Sequence, residues 1–108
     1  MPDPARFGRS DLSLVLLAVL ANREMYGYEL VSELRRRSDG VFDLAEGTVY
    51  PALRRLERQG LLHAHWVDVP DGPRRRYYAP TKAGERVLAD GRADWRQFVA
   101  ATDTLLGG

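Results

Sequence analysis

The segment Glu46–Gly60, EGTVYPALRRLERQG, decides how this chain folds. At 100° per residue, Val49, Leu53 and Leu56 fall on one helical face. Gly47, Pro51, Arg54, Arg55 and Arg58 fall on the other, with Thr48 and Tyr50 at the flanks. Gly60 offers the left-handed residue that commonly ends a helix. Pro51 has no amide hydrogen, which is harmless only near a helix start, so the spacing predicts a start around Gly47–Tyr50. Glu46 suits the backbone N–H groups at that end, since a carboxylate repels phosphate. Tyr50, if buried, needs a partner for its phenol. A short cationic helix on a narrow apolar stripe has the dimensions of the DNA major groove. A solvated surface helix has the same composition, so the flanking sequence has to decide.

Upstream, Tyr26–Arg37 predicts a second helix with Leu30, Val31 and Leu34 inside and Glu29, Ser32, Glu33, Arg35 and Arg36 outside. Arg35–Arg37 stand in its last turn, where cations favour the helix dipole; phosphate contact is a second reason for them. Asp39 and Gly40 stop this helix. Val41, Phe42 and Leu44 then offer side chains to plug the gap before Glu46. Two helices joined by a short crossing segment, the second cationic, make a helix-turn-helix. Further upstream, Ser10 or Asp11 caps a helix running to about Ala21. Its run Leu14–Ala21 leaves almost no polar face, so it is buried on most sides. Asn22–Met25 reads as a polar connection. Residues 1–9, with Pro2, Pro4 and Gly8, read as a flexible arm in which Arg6 and Arg9 either touch phosphate or do nothing.

Downstream, Leu61–Val69 has the alternation of a strand, Pro70–Pro73 is a turn cluster, and Arg74–Ala79 is the returning strand. This is a two-stranded wing, marginal alone, so it should pack on the helices through Leu62, Trp66 and one of Tyr77 and Tyr78. Its tip carries Arg74, Arg75 and Arg76, with Asp68 and Asp71 the nearest acids in sequence. Stacked like charges point to a polyanion, the DNA backbone or minor groove. His63 and His65 lie on one side of the first strand. With no third ligand nearby, an exposed wing face accounts for them better than a metal does.

Thr81 is placed to cap a final helix reaching about Leu106, roughly 25 residues and about 37 Å. Leu88, Gly91, Trp95, Phe98, Thr102 and Leu105 recur at 3-4 spacing, and Val87, Val99 and Leu106 widen the stripe. That spacing is a coiled-coil-type seam, expected to meet its copy in a second subunit. Folding back onto its own domain is the alternative, and Gly91 weakens the helix by about 1 kcal/mol.

The 108 residues suffice for one modest core, and 44% apolar with 29% charged residues is ordinary for a globular chain. The absence of cysteine excludes disulfides, thiolate metal sites and a cysteine nucleophile. No membrane-length apolar run occurs and residues 1–13 carry no signal-peptide pattern, so a cytoplasmic protein is expected. Net charge is only +1, but residues 35–76 hold nine arginines against six acids. The clustering, rather than the total, suggests a polyanionic partner. No nucleophile-turn or phosphate-loop motif is present, and an enzyme is not expected.

The order of elements and several local motifs resemble PadR-type winged-helix transcriptional regulators. The residues that carry the resemblance are Tyr26-Gly27-Tyr28-Glu29-Leu30, Glu46 through Glu57, and Gln59-Gly60-Leu61-Leu62. Gly72, Arg75-Arg76-Tyr77-Tyr78 and Pro80-Thr81-Lys82-Ala83-Gly84 extend it, so that it covers about residues 12–102. The single C-terminal helix is similar to the shorter members. The implied fold is mainly α (α+β): residues 10–80 form a winged helix-turn-helix with a two-stranded wing, and residues 81–108 a long dimerisation helix.

The resemblance further implies a homodimeric repressor, with residues 46–59 in the major groove of a near-palindromic operator and the wing, residues 61–79, at the minor groove. By position, Thr48, Tyr50 and Pro51 would lie at the DNA face and Arg54, Arg55 and Arg58 on phosphate or base edges. Arg74, Arg75 and Arg76 would serve the wing, and Tyr28, Ser32 and Arg35 the backbone. A small aromatic or hydrophobic effector would bind at the dimer seam of Leu88, Trp95, Phe98, Val99 and Thr102. Plain dimer core is the other reading of that seam. No cofactor or metal is implied. A winged helix used as a protein-interaction module is the competing function, and the arginines discriminate between the two.

Overall fold

The structure, a computed structural model, describes residues 11–107. The expected arm of residues 1–9, with Arg6 and Arg9, and the cap at Ser10 lie outside the described residues. The chain runs α1 (Asp11–Asn22), β1 (Met25–Tyr26), α2 (Gly27–Arg37), α3 (Glu46–Arg58), β2 (Leu62–Val67), β3 (Arg75–Pro80) and α4 (Lys82–Leu106). This is the winged helix-turn-helix with one long terminal helix that the periodicities predict.

The core is where the apolar faces of these elements converge. Leu16, Leu17 and Leu20 of α1 meet Leu30 and Leu34 of α2, Val49, Leu53 and Leu56 of α3, and Leu62 and Tyr78 of the sheet, all buried. Ala52 joins the α3 stripe. Of the residues expected to plug the gap before α3, Phe42 and Leu44 pack against this core, but Val41 is 80% exposed. Left-handed backbone at Asp39 and Gly40 turns the chain there and swings Val41 outward.

The two-stranded wing, β2 and β3, is present, and a short third strand, β1, extends it into a three-stranded sheet. The order is β1-β3-β2, all antiparallel, with Met25 opposite Tyr78 and Tyr26 opposite Tyr77. Asn22–Met25 is therefore not simply a polar connection: Met25 is buried and anchors β1. A third strand supplies the support that an isolated hairpin lacks. Alternation then sorts the sheet's faces. Leu62, Ala64, Trp66, Arg76 and Tyr78 share the inner side, and His63, His65, Arg75 and Tyr77 the outer.

Helix α3 begins at Glu46, earlier than Pro51 led us to expect, so the proline sits in the second turn. Its ring would crowd the carbonyl four residues back. That residue is Gly47, which is exposed, so water can take the carbonyl left without an amide partner. Ala45 precedes the helix without a side-chain cap, and Glu46 instead places its carboxylate in the first turn, where the dipole favours it.

Thr81 joins three elements. Its hydroxyl accepts from the Gly84 N–H at 3.1 Å, capping α4, and donates to the Gly60 carbonyl at 2.6 Å. Its own N–H donates to the Leu61 carbonyl at 3.1 Å. The end of α3 and the start of α4 are thus held together within one residue of each other. From that joint α4 runs the full 25 residues, ending at Gly107 in left-handed conformation. Its first half packs on α1, where Leu88 is buried and Gly91 lies against Leu14. Leu88 and Gly91 thus belong to this chain's own core, and the exposed seam begins beyond them. The second half projects: Leu105 is 86% and Leu106 79% exposed. A radius of gyration of 15.2 Å and a longest dimension of 54 Å reflect that projection; a compact chain of this length would have about 13 Å.

Candidate nucleic-acid interface

Arg54, Arg55 and Arg58 stand exposed on α3, beside Thr48 and Pro51. Neither Arg54 nor Arg58 is paired with an acid among the described residues. The Nη2 of Arg55 lies 3.4 Å from the Ser13 hydroxyl of α1, a long contact that leaves its charge unneutralised. Between α3 and the wing lies a cleft of about 420 Å³, lined by Tyr26, Tyr50, Arg54, Trp66 and Arg74–Arg76. Of the sequence-predicted arginines, Arg54 of the helix and Arg74–Arg76 of the wing therefore share one concave surface, while Arg55 and Arg58 stand outside its lining.

Tyr50 occupies the back of this surface. Its ring fills the space that a Cβ at Gly27 would need, which wedges α3 against the start of α2. Burial, and secondarily the Glu46 carboxylate, push its phenol above the usual tyrosine range. The group is a neutral hydroxyl at physiological pH, able to donate to an anion.

The wing arginines are ordered rather than merely crowded. Arg74 and Arg76 lie over the Trp66 ring, at 4.9 and 5.3 Å from its centroid, and Arg75 lies 4.5 Å from the centroid of Tyr26. Trp66, expected to pack on the helices, is instead half-exposed and serves as the platform for two guanidinium groups. Arg76 also has a carboxylate partner that sequence proximity did not suggest: its Nη2 bonds the Glu57 Oε2 of α3. That hydrogen bond raises the Arg76 pKa further and leaves Arg74 and Arg75 as the wing cations without an acid partner among the described residues.

The expected backbone contacts on α2 are mixed. Tyr28 is 62% exposed and Ser32 is exposed, both available. Arg35 is bonded to Asp43 at 2.9 Å, an exposed pair of small worth. Arg36 is held by Glu33, whose carboxyl it keeps below its usual range. His65 meets Glu24 at 2.7 Å on the outer face of the sheet.

At the far end of the molecule, Trp95 and Phe98 stack at 5.8 Å between centroids. A groove of about 320 Å³ runs between α1 and α4, lined by Leu14, Val15, Ala18, Phe42, Leu88 and Trp95, with Arg92 at its rim. No helix among the described residues is long and apolar enough to cross a membrane.

The sequence profile of the transcriptional regulator PadR-like family matches residues 16–90. The chain belongs to that family. A transcriptional regulator of Mycobacterium tuberculosis, Rv3488, is 38% identical over 102 residues, spanning 94% of this chain and 89% of that protein. The crystal structure of a PadR-family regulator from Eggerthella lenta superposes with a TM-score of 0.80 at 35% identity, covering 92% of this chain and 84% of that one. The fold also matches Bacillus subtilis PadR, solved in complex with operator DNA, at a TM-score of 0.68 and 22% identity, over 73% of this chain and 45% of that chain.

Within this PadR-type frame, sequence reasoning missed three contributors to the surface: Trp66, Tyr26 and Glu57. The register offers a signal for the first. Trp66 stands directly opposite Arg76, and cross-strand neighbours on one face are close enough to interact. Glu57 is 19 residues from Arg76 and on a different element, so nothing local announces the pair.

Proposed function

We propose that this PadR-family regulator is a homodimeric repressor that binds a near-palindromic operator and is released by a small apolar or aromatic effector. The observation that carries the DNA reading is the shared cleft, in which Arg54 of α3 faces the three arginines of the wing. Helix α3 enters the major groove, with Thr48, Pro51, Arg54, Arg55 and Arg58 toward the bases and phosphates. Arg74 and Arg75 follow the backbone toward the minor groove, and Tyr28, Ser32 and Arg35 take phosphates beside α2. The operator complex of B. subtilis PadR supports this docking by analogy of fold. Its site of action is the cytoplasm, where the DNA is.

Residues 10–80 are assigned as the DNA-binding domain and residues 81–108 as the dimerisation element, whose first half packs on α1 and whose projecting half makes the contact with the second copy. The exposed Leu105 and Leu106 and the stacked Trp95 and Phe98 supply an apolar surface beyond the chain's own core, with Val99 and Thr102 alongside. The groove beside Trp95 is the proposed effector site. A salt series tests the reading: binding of the purified chain to its own promoter and to random duplex, with a steep negative slope and tighter promoter binding expected. Absence of binding at low salt would favour a protein-interaction module instead.

A further inference from the structure

We infer that Glu57 is a positioning residue for operator recognition: it takes Arg76 out of the set of DNA-contacting cations and uses it to fix the wing against α3. The inference rests on the DNA-binding reading proposed above.

Glu57 is an acid on the cationic helix, one position before Arg58 and three after Arg54. An acid there repels phosphate, so it needs another reason to be present. Its carboxylate receives the Arg76 guanidinium, and both side chains are about one-third exposed, at 30% and 34%. Arg76 in turn lies over Trp66, its cross-strand partner. Trp66 carries Arg74 as well. The contacts form a continuous chain, Glu57 to Arg76 to Trp66 to Arg74, from the recognition helix to the wing tip.

Such a chain sets the spacing between two elements that must engage the same duplex in neighbouring grooves. With the spacing preset, the order of the wing is established before DNA arrives rather than at its expense on binding. Charge-assisted hydrogen bonding gives the strut direction, and the planar guanidinium can serve a carboxylate edge and an indole face together.

The test separates positioning from simple electrostatics because the two predict opposite signs. Removing an acid from a DNA-facing surface should tighten binding if Glu57 merely contributes charge. Loss of the strut should weaken promoter binding. We expect Glu57→Gln to weaken promoter binding about fivefold, the scale of a partly exposed charged pair, and to leave random-duplex binding equal or tighter. In a Trp95→Phe background, Trp66 fluorescence should become more accessible to acrylamide on the same substitution. In an Arg76→Ala background the strut is already broken, so adding Glu57→Gln should weaken promoter binding no further; an independent charge effect would tighten it there by the same factor as in the unsubstituted chain. Promoter binding left unchanged or tightened by Glu57→Gln, or an equal effect of Glu57→Gln in the two backgrounds, overturns the inference alone. Failure of the unsubstituted chain to bind DNA at low salt overturns the repressor reading and this inference with it.

Discussion

The carbonyl oxygen of Leu61 lies against Gly84, in the volume that a side chain at that position would occupy. This contact explains why the first turn of α4 carries glycine where a capping box would place an acid. Gly84→Ala should cost about 2–3 kcal/mol, because the obstacle is backbone fixed in a strand start and cannot step aside. Gly27→Ala meets the far end of the Tyr50 ring instead. That ring can swing out, so we expect under about 1 kcal/mol in stability and a clear loss in DNA affinity as Tyr50 leaves its place. Thermal melts paired with promoter titrations check both; equal stability losses would contradict the distinction.

Thr81→Ala removes the α4 cap and the tie to Gly60 together. A loss of about 1–2 kcal/mol is expected, and Thr81→Ser should recover most of it because the hydroxyl performs both tasks. Urea unfolding midpoints of the two variants decide this, and equal midpoints would place the contribution in the methyl group rather than the hydroxyl.

Arg74→Ala and Arg75→Ala should each lower the slope of log affinity against log salt by about 0.9, one phosphate contact apiece. Arg76→Ala should weaken promoter binding with a smaller change in slope, since its charge is satisfied within the chain. Fluorescence anisotropy across a salt series reads all three. Equal slope losses would mean that Arg76 releases Glu57 on binding.

Trp95→Ala should weaken the dimer or blunt the response to effectors, because Trp95 sits between the apolar groove and the exposed half of α4. Sedimentation equilibrium and operator-release assays measure the two effects. An unchanged dimer together with unchanged release by every compound tested would remove Trp95 from both roles.

Long periodic elements were legible from residues alone. The bounds of α4 follow from Thr81 and the 3-4 apolar stripe, and the buried face of α3 follows from Val49, Leu53 and Leu56. Three features escaped for physical reasons. Strand β1 has two residues, too few for alternation to register, so Met25 reads as part of a loop. Val41 is as apolar as its neighbours, and only the left-handed turn at Asp39 and Gly40 shows that it points away. Pro51 suggests a start nearer to itself, whereas the carbonyl it leaves without an amide partner, that of Gly47, is exposed to water and so tolerated in the second turn. At the interface, individual arginines were legible but their partners were not. Cation–aromatic and acid–base contacts across Trp66, Tyr26 and Glu57 depend on which faces the tertiary fold brings together.

The tie between Thr81 and Gly60 also has a mechanical meaning. The start of the long helix is pinned by Thr81 to the residues that directly follow the recognition helix, so α4 is built like a crank whose handle lies far from the proposed DNA face. A small tilt imposed near Trp95 or Leu105 would reach Arg58 through that pin. In a pair of such chains, the separation and pitch of the two reading heads would be adjusted from the distal ends of the cranks, and a ligand there could disengage both heads while touching neither.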